Sequence, residues 1–458
     1  MTASNAGAPH EAMNPDSIIQ RLLRSVAKGT GPRAKGADRF TRKTVTLFRA
    51  LLSQRGEASG AVLAREALDA YNALQGPSLE AVFDVLADEF SPDPEEVGRA
   101  ADAYRREPSQ PNLVRLMGVV EPRRQELFRR LNLATGGTAA LVEMRRRIHQ
   151  QLNSRPHWAG IEADLAHLLS SWFNRGFLVL ERIDWRTSAL ILEKLTQYEA
   201  VHAIQSWQDL RRRLQADRRC FAFFHPALPD EPIIFIEVAL THGMSGTVHP
   251  LLDPDSPVAD PSEANCAIFY SITNCQEGLR GISFGNFLIK QVAEDLGREF
   301  PRLKTFATLS PVPGFRSWLS EAAKELAALP RGAALAEQLR AIDAPDWSAE
   351  LAKALEQPLL RLCAFYLLNA KREGEPRDPV ARFHLGNGAR MERLNWLADT
   401  SEQGMSRSAG VMVNYVYRLE DVEHNHEVYA NRHEVVSSAK FVVLARECPL
   451  ADKRGSRA

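Results

Sequence analysis

The chain reads as an all-α part followed by an α/β or α+β part. Three observations carry that reading. From about residue 17 to 185 apolar residues recur at helical spacing with no strand-like run. After that point, short runs rich in β-branched and aromatic residues alternate with helical stretches. The length of 458 residues accommodates about two to four domains. Residues 1–16 are small and polar and are expected to be disordered. The divisions are therefore 1–16, a helical domain over 17–185, and a second domain over 186–458.

In the first part, "SIIQRLLRSVAKG" places Ile18, Ile19, Leu22, Leu23 and Val26 on one stripe and stops at Gly29. "DRFTRKTVTLFRALLSQRG" repeats the pattern. "GPSLEAVFDVLADEFSPDPEEV" holds a helix starting near Pro77, with Ser91 as a cap for the next. "ATGGTAALVEMRRRIHQQL" starts another behind Gly136 and Gly137. Seven to nine helices are expected, with no fixed-period repeat that would indicate a solenoid. The arginine-rich faces in "RRQELFRRL" and "EMRRRIHQQL" suit solvent or another subunit.

In the second part, "RCFAFFHPALPDEPIIFIEVALTHG" contains β-type runs at Phe221–Phe224 and Ile233–Leu240, separated by a proline-rich turn. "NCAIFYSIT" is a further strand. "FGNFLIKQVAEDLGREF" turns helical, with Leu288, Ile289, Val292, Leu296 and Phe300 on one face. "LKTFATLS" is the next strand, and a helical block spans roughly 315–372. Strands return in "ARFHLGNGARMERLNWLAD" and "AGVMVNYVYRL", and "SSAKFVVLAR" closes the domain.

Composition excludes several classes. Lys+Arg and Asp+Glu number 57 each, so no excess positive charge advertises a nucleic-acid partner. No apolar run approaches a bilayer span. The first residues carry Glu11 and Asp16 before Arg21 and no apolar signal core, so the expected location is the cytoplasm. The five cysteines are scattered without a CxxC pair, which suits reduced, buried thiols better than disulfides or zinc.

The most informative unit is strand–turn–helix–strand: "AIFYSIT", "NCQEGLRGISFG", "NFLIKQVAEDLGREF", "TFATLS". Free backbone N–H groups in the glycine-rich turn before the helix would suit an anion such as a pyrophosphate. It is neither a Walker loop nor a dinucleotide fingerprint, and a flexible packing turn accounts for the glycines equally. "TFATLSPVPGFRSWL" ends a strand on Ser310 and stiffens the turn behind it with two prolines. Either Ser310 is held still at the rim of a sheet, or this is a buried strand with an ordinary turn. His384 enters the turn of "RFHLGNGAR". "VEHNHEVYANRH" holds His424, His426 and His433, but no second ligand group at metal spacing lies nearby, so it reads as a polar loop. A Ser/His nucleophile pair lacks both a GxSxG elbow and a marked acidic third member.

These segments together resemble malonyl-CoA decarboxylase over nearly the whole chain, most strongly from about 215 to 440. "FAFFHPALPDEPIIFIEVALT", "AIFYSITNCQEGLRGISFGNFLIKQV", "FATLSPVPGFRSWL" and "FHLGNGARMERLNWLADTSEQGMSRSAGVMVNYVY" carry the resemblance. It implies a GNAT-like acyl-CoA-binding domain behind the helical domain. The acyl-CoA is then expected where the central sheet splays, with its pyrophosphate on the turn Arg280, Gly281, Ile282, Ser283, Phe284, Gly285 and Asn286. Ser283 stands where that fold commonly has glycine. The resemblance implies Ser310 and His384 as the catalytic pair and places Ser271 and Tyr417 near the acyl group. It further implies a homo-oligomer, commonly a tetramer, whose assembly involves the helical domain.

The residue types suit the chemistry. Losing carbon dioxide from malonyl-CoA leaves an enolate on the thioester. Backbone N–H groups or Tyr417 would stabilise its oxygen. Ser310 would hold the carboxylate out of the thioester plane, and His384 would supply the α-carbon proton, directly or through Ser310. The thioester is the electron sink, so no metal, biotin or pyridoxal phosphate is expected. The rivals are a GNAT-type acyltransferase, which would require an amine acceptor, a non-catalytic acyl-CoA-binding regulator, and a thioesterase, which would release free CoA.

Overall fold

The computed structural model describes residues 38–451, apart from 55, 285–286, 330–331, 341 and 343–346. The expected disorder over 1–16 and the helix over 17–29 lie outside the described residues. The chain divides into two compact units. The first comprises residues 1–177, 226–229 and 276–283, and the second the remainder.

Eight α-helices build the described core of the first unit: α1 (Arg39–Ser53), α2 (Glu57–Asn72), α3 (Gly76–Asp88), α4 (Pro94–Arg106), α5 (Gln110–Val120), α6 (Arg123–Asn132), α7 (Gly137–Gln151) and α8 (Ala159–Trp172). Their boundaries follow local chemistry. Asp38 caps α1 by accepting from Thr41 N, and α3 starts with a proline in its first turn, as the sequence implies. The cap of α4 is Asp93 rather than Ser91. Ser91 instead donates back to Ala87 O. Asp93 directly precedes Pro94, which is the stronger start signal.

The core of this unit is apolar at its centre and ionic at chosen points. Trp158 is fully buried, meets Phe83 edge-on at 5.1 Å, and donates its indole N–H to Asp84 at 2.8 Å. Arg124 pairs with Asp164 in the interior and also donates to Leu86 O and Ser91 Oγ. Arg145 pairs with Glu162 and donates to the carbonyls of Gly278 and Arg280 at 2.7 and 2.9 Å. That arginine therefore pins the 276–283 turn onto α7.

The second unit is built on an eight-stranded mixed sheet. Its strands are β1 (Val179–Ile183), β2 (Arg218–Phe224), β3 (Ile234–Thr241), β4 (Cys266–Asn274), β5 (Thr305–Thr308), β6 (Ser310–Pro311), β9 (Arg390–Asn395) and β10 (Met412–Tyr417). A separate two-stranded ribbon holds β7 (Lys371–Arg372) and β8 (Glu375–Pro376). The order in the large sheet is β1-β2-β3-β4-β5-β10-β6, with β9 on β10. Every pairing is antiparallel except β4 with β5. A parallel pair needs a crossover, and the helix between them supplies it.

The helices of this unit are α9 (Ala189–Tyr198), α10 (Trp207–Arg213), α11 (Leu288–Glu299), α12 (Phe315–Ala327), α13 (Ala333–Arg340), α14 (Ala349–Asn369), α15 (Pro379–Gly386), α16 (Glu402–Ser408), α17 (Val422–Arg432) and α18 (Ala439–Arg446), with one short turn at His249–Leu252. One strand, β1, falls inside the stretch read as wholly helical. Its five residues, Val-Leu-Glu-Arg-Ile, are too few to show a period, and pairing with β2 decides their conformation.

Two irregularities shape the sheet. β4 and β5 pair only over Cys266–Phe269 and Thr305–Thr308, ending with Leu309 N on Phe269 O at 3.0 Å. Beyond that point β4 continues against β3, while the other chain crosses to β6 beside β10. The sheet therefore opens there. At the same place the β3–β4 register shifts, leaving Tyr270 as an extra residue.

Trp158→Ala should cost the helical unit roughly 3–5 kcal/mol, since it empties a site that neighbours cannot fill. Chemical denaturation of the variant against the parent checks this.

Candidate active site

Ser310 owes its position to an interruption in one ladder. β10 pairs in a single register with Phe306, Ala307, Ser310 and Pro311. Between these, at Thr308 and Leu309, side chains stand in for main-chain bonds. Thr308 Oγ1 accepts from Tyr415 N at 3.2 Å, and Thr308 O accepts from Asn414 Nδ2 at 2.7 Å. Asn414 is in turn held by Asn395 Nδ2 and Arg393 Nε on its Oδ1. Alternation then puts Thr308 and Ser310 on one face, with Tyr415 and Tyr417 across from them.

The turn behind Ser310 is pinned three times. Val312 N donates to Ser408 Oγ at 3.0 Å, and Gly314 N to Asp378 Oδ2 at 3.4 Å. A side chain at Gly314 would lie 2.3 Å from Tyr366 Oη, so only glycine fits. Asp378 also caps α15 by accepting from Ala381 N. Burial raises its carboxyl to about 6.

His384 does not enter a turn from a strand; it lies in the last turn of α15. Asp378-Pro379 is a helix start of the usual kind, and Asn387 ends the helix. Gly388 then takes φ +82°, where a Cβ would meet Val422 O at 2.1 Å. The imidazole stacks on Tyr415 with ring centroids 4.5 Å apart. Its Nε2 lies 3.0 Å from Ser310 Oγ and its Nδ1 2.8 Å from Tyr417 Oη. Ser310 Oγ also donates to Thr308 Oγ1 at 2.9 Å. All four groups are buried. Desolvation takes the His384 imidazole down to about 3, so it is neutral near pH 7. Desolvation likewise pushes the Tyr417 phenol well above its usual range.

Three of the expected site residues thus come together: Ser310, His384 and Tyr417. Ser271 does not join their hydrogen bonds. The bulge at Tyr270 sets it opposite Glu237, on the face that carries Ala239, Ala307 and Leu309, whereas Thr308 and Ser310 alternate to the other face. Its hydroxyl goes to the buried carboxylate of Glu199 at 2.8 Å, beside Thr273 and the backbone N–H groups of Val201 and His202. Arg280, Gly281, Ile282 and Ser283 belong to the first unit, and Phe284 to the second. Arg280 and Ser283 are exposed, while Ile282 and Phe284 are buried. Gly285 and Asn286 lie outside the described residues. The helix that follows is tied to the histidine segment, because Phe287 N donates to Asn387 Oδ1 at 3.1 Å.

Thr308, Tyr415 and Asp378 were not singled out from sequence. The spacing Thr308-x-Ser310 and Tyr415-x-Tyr417 on adjacent strands is the signal that could have found the first two. His424, His426 and His433 do not converge: His426 bonds Gly386 O, and His433 sits by Glu375. Among the described residues no three His, Cys, Asp or Glu side chains are grouped to hold a metal ion. All five cysteines are buried and none is paired in a disulfide among the described residues.

The sequence and fold have close counterparts. Residues 176–452 match the family model for the malonyl-CoA decarboxylase C-terminal domain, and residues 90–173 that for its N-terminal domain. Mitochondrial malonyl-CoA decarboxylase of Rattus norvegicus is 36% identical over 360 residues, covering 73% of each chain. The goose protein (Anser anser anser) is 38% identical over 347 residues, covering 70% of this chain and 69% of its own. A crystal structure of malonyl-CoA decarboxylase from Rhodopseudomonas palustris superposes with a TM-score of 0.83 at 49% identity, covering 88% of this chain and 98% of that one. The one from Cupriavidus metallidurans gives 0.72 at 35%, covering 89% and 100%.

The buried imidazole has a consequence for stability. An unfolded histidine protonates near pH 6.5 and the folded one only near 3, so the unfolded state binds the extra proton between those values. Stability from this group is complete above about pH 6.5 and is lost as pH falls toward 3, by roughly 4–5 kcal/mol. His384→Gln should flatten that acid limb, as read by denaturation midpoints from pH 7 to 4.

Proposed function

The chain belongs to the malonyl-CoA decarboxylase family of carboxy-lyases, and we propose that it decarboxylates malonyl-CoA through a thioester enolate handled by Ser310 and His384. The observation that carries this is the buried Ser310 Oγ–His384 Nε2 contact of 3.0 Å on the strand that leaves β4 where the sheet opens. A serine on that strand can reach a group lying in the opening. It would turn from Thr308 to hydrogen-bond the malonyl carboxylate and hold it out of the thioester plane. The breaking bond then overlaps the carbonyl π system. Loss of carbon dioxide leaves the electron pair on the α-carbon, delocalised onto the thioester oxygen. A proton arriving from the His384 side through Ser310 completes acetyl-CoA.

Two features argue against Ser310 as an acylated nucleophile. Among the described residues no carboxylate is hydrogen-bonded to His384, whose Nδ1 partner is a phenol. The neutral, desolvated imidazole is also a weak base. The same bond occupies Tyr417 behind the imidazole, so in this reading the enolate oxygen is stabilised by backbone N–H groups at the sheet opening rather than by Tyr417. Ser271 borders that opening through its main chain, with its hydroxyl committed to Glu199.

A GNAT-like fold for the second domain is part of the proposal. Its support is the single parallel pair, the opening after Phe269 and the bulge at Tyr270. The turn Arg280–Asn286 is proposed to hold the CoA pyrophosphate, with the exposed Arg280 guanidinium as a ligand. The thioester serves as electron sink, so the proposed chemistry calls on no metal or organic cofactor. Assembly, expected to be tetrameric, is assigned to the helical domain over 17–185, with catalysis over 186–458. No residue of α5 is buried, and Val114, Met117 and Val120 on it are exposed, which suits an assembly surface. A cytoplasmic location is part of the proposal, and five scattered, buried cysteines suit it, although the goose and rodent relatives are named mitochondrial. No described helix is long and apolar enough to cross a membrane.

Malonyl-CoA alone, with a chelator present, should give acetyl-CoA and carbon dioxide in equal amounts; free CoA or a need for an amine acceptor would overturn the reading. Ser310→Ala and His384→Ala, each shown folded by its melting curve, should each lower kcat by about 10²-fold or more, the scale of lost proton transfer and positioning. Near-parental turnover in both would remove the assigned roles.

A further inference from the structure

The hydrogen bonds around His384 have a direction. Ser310 has one hydroxyl proton and donates it to Thr308 Oγ1. Toward His384 it can then only accept, so the imidazole proton sits on Nε2. Nδ1 is therefore bare, and the phenol of Tyr417 donates to it. The three bonds, of 2.8, 3.0 and 2.9 Å, all point the same way, from Tyr417 through His384 to Ser310 and Thr308.

This direction matters because the imidazole is buried in apolar surroundings, stacked on Tyr415 and flanked by Phe383. A neutral imidazole carries a single N–H. Surrendering that proton without a replacement would leave an imidazolate, a much stronger base than the phenolate that forms when Tyr417 resupplies Nδ1. A proton must reach Nδ1 as one leaves Nε2. Among the described residues, the group hydrogen-bonded to Nδ1 is the Tyr417 hydroxyl.

We propose that Tyr417, His384 and Ser310 form a proton relay in which the Tyr417 hydroxyl is the source of the proton that quenches the enolate. The proposal rests on the decarboxylase reading and extends it by one donor. When the carboxylate leaves as carbon dioxide, Ser310 Oγ gives its proton to the α-carbon, forming the new C–H bond. Ser310 takes the Nε2 proton, Nδ1 takes the phenol proton, and Tyr417 is left as a phenolate. The imidazole ends neutral with its proton on Nδ1. As the products leave, a water on the substrate side gives a proton to Ser310, Ser310 passes its own to Nε2, and Nδ1 returns its proton to the phenolate, which restores the starting arrangement. One proton is consumed per turnover, as the net reaction requires, and no oxidant or reductant is involved. Tyr417 acts through His384, and so is a positioning and relay residue rather than one that touches substrate.

The test is single-turnover decarboxylation of malonyl-CoA by the full chain with Tyr417 replaced by phenylalanine, and separately by fluorinated tyrosines of graded acidity. Tyr417→Phe should slow the chemical step at least tenfold while leaving KM for malonyl-CoA within about twofold. Across the fluorotyrosines, which keep the shape and the hydroxyl, the rate should follow phenol acidity. A phenylalanine variant as fast as the parent overturns the relay. So does a slow phenylalanine variant beside a fluorotyrosine series with one common rate, since that pattern marks a hydroxyl that merely orients the ring. If the phenylalanine variant does not fold, the fluorotyrosine series alone decides. A parent chain that leaves malonyl-CoA intact overturns the decarboxylase reading and the relay together, an outcome distinct from an active parent with indifferent variants.

Discussion

The bond from the Tyr415 backbone N–H to the Thr308 hydroxyl is the contact on which the site depends. An unbroken ladder between β5 and β10 would have bonded main chain to main chain at Thr308 and Leu309. Here a threonine side chain and an asparagine side chain fill those places, yet the register before and after is the same. The strand therefore reaches Ser310 without slipping, and no side chain changes face. Thr308 Oγ1 is also the acceptor for Ser310. One hydroxyl thus completes the sheet and sets the direction of the serine proton.

Burial supplies the second constraint. Thr308, Ser310, His384 and Tyr417 lie in the interior with Tyr415 stacked against the imidazole. Hydrogen bonds in such surroundings are strong, and unmatched ones are costly. The group is accordingly a connected set of neutral donors and acceptors with no ion pair in it. A neutral set suits a reaction whose charge arrives with the substrate. The malonyl carboxylate and the enolate would then be the strongest charges present, and the desolvation that depresses His384 would also favour release of neutral carbon dioxide.

Much of this was legible in the sequence, and the rest was hidden for physical reasons. Helix starts at Pro77 and Gly137 and the runs that became β2, β3 and β4 depend on local pattern, and local pattern shows them. Ser310 and His384 stood out through the resemblance, and they do meet. The helical placement of His384 was misjudged although Asp378-Pro379 announced it, because the glycines that follow drew the reading toward a turn. The face of Ser271 could not be read at all. Alternation along "FYSIT" fails at one bulged residue, and a bulge is a property of the paired strand, not of the strand alone. Thr308 and Tyr415 have ordinary strand compositions, and only the interrupted ladder gives them a role.

Asp378 shows how the two halves of the proposed catalytic pair are kept in register. One carboxylate oxygen accepts from Gly314 N, at the end of the turn that stiffens Ser310. The other accepts from Ala381 N, in the first turn of the helix that carries His384. The serine and the histidine are 74 residues apart in sequence, and this side chain ties the segment of one directly to the segment of the other. Burying the carboxylate disfavours its charged form and raises it to about 6. An asparagine could cap the helix, but it would offer Gly314 N an amide oxygen or nitrogen and not a second equivalent acceptor. A carboxylate with two oxygens of the same kind can serve both N–H groups whichever way it turns. The strained ionisation of Asp378 is therefore the cost of holding Ser310 Oγ and His384 Nε2 at 3.0 Å from two separate pieces of chain.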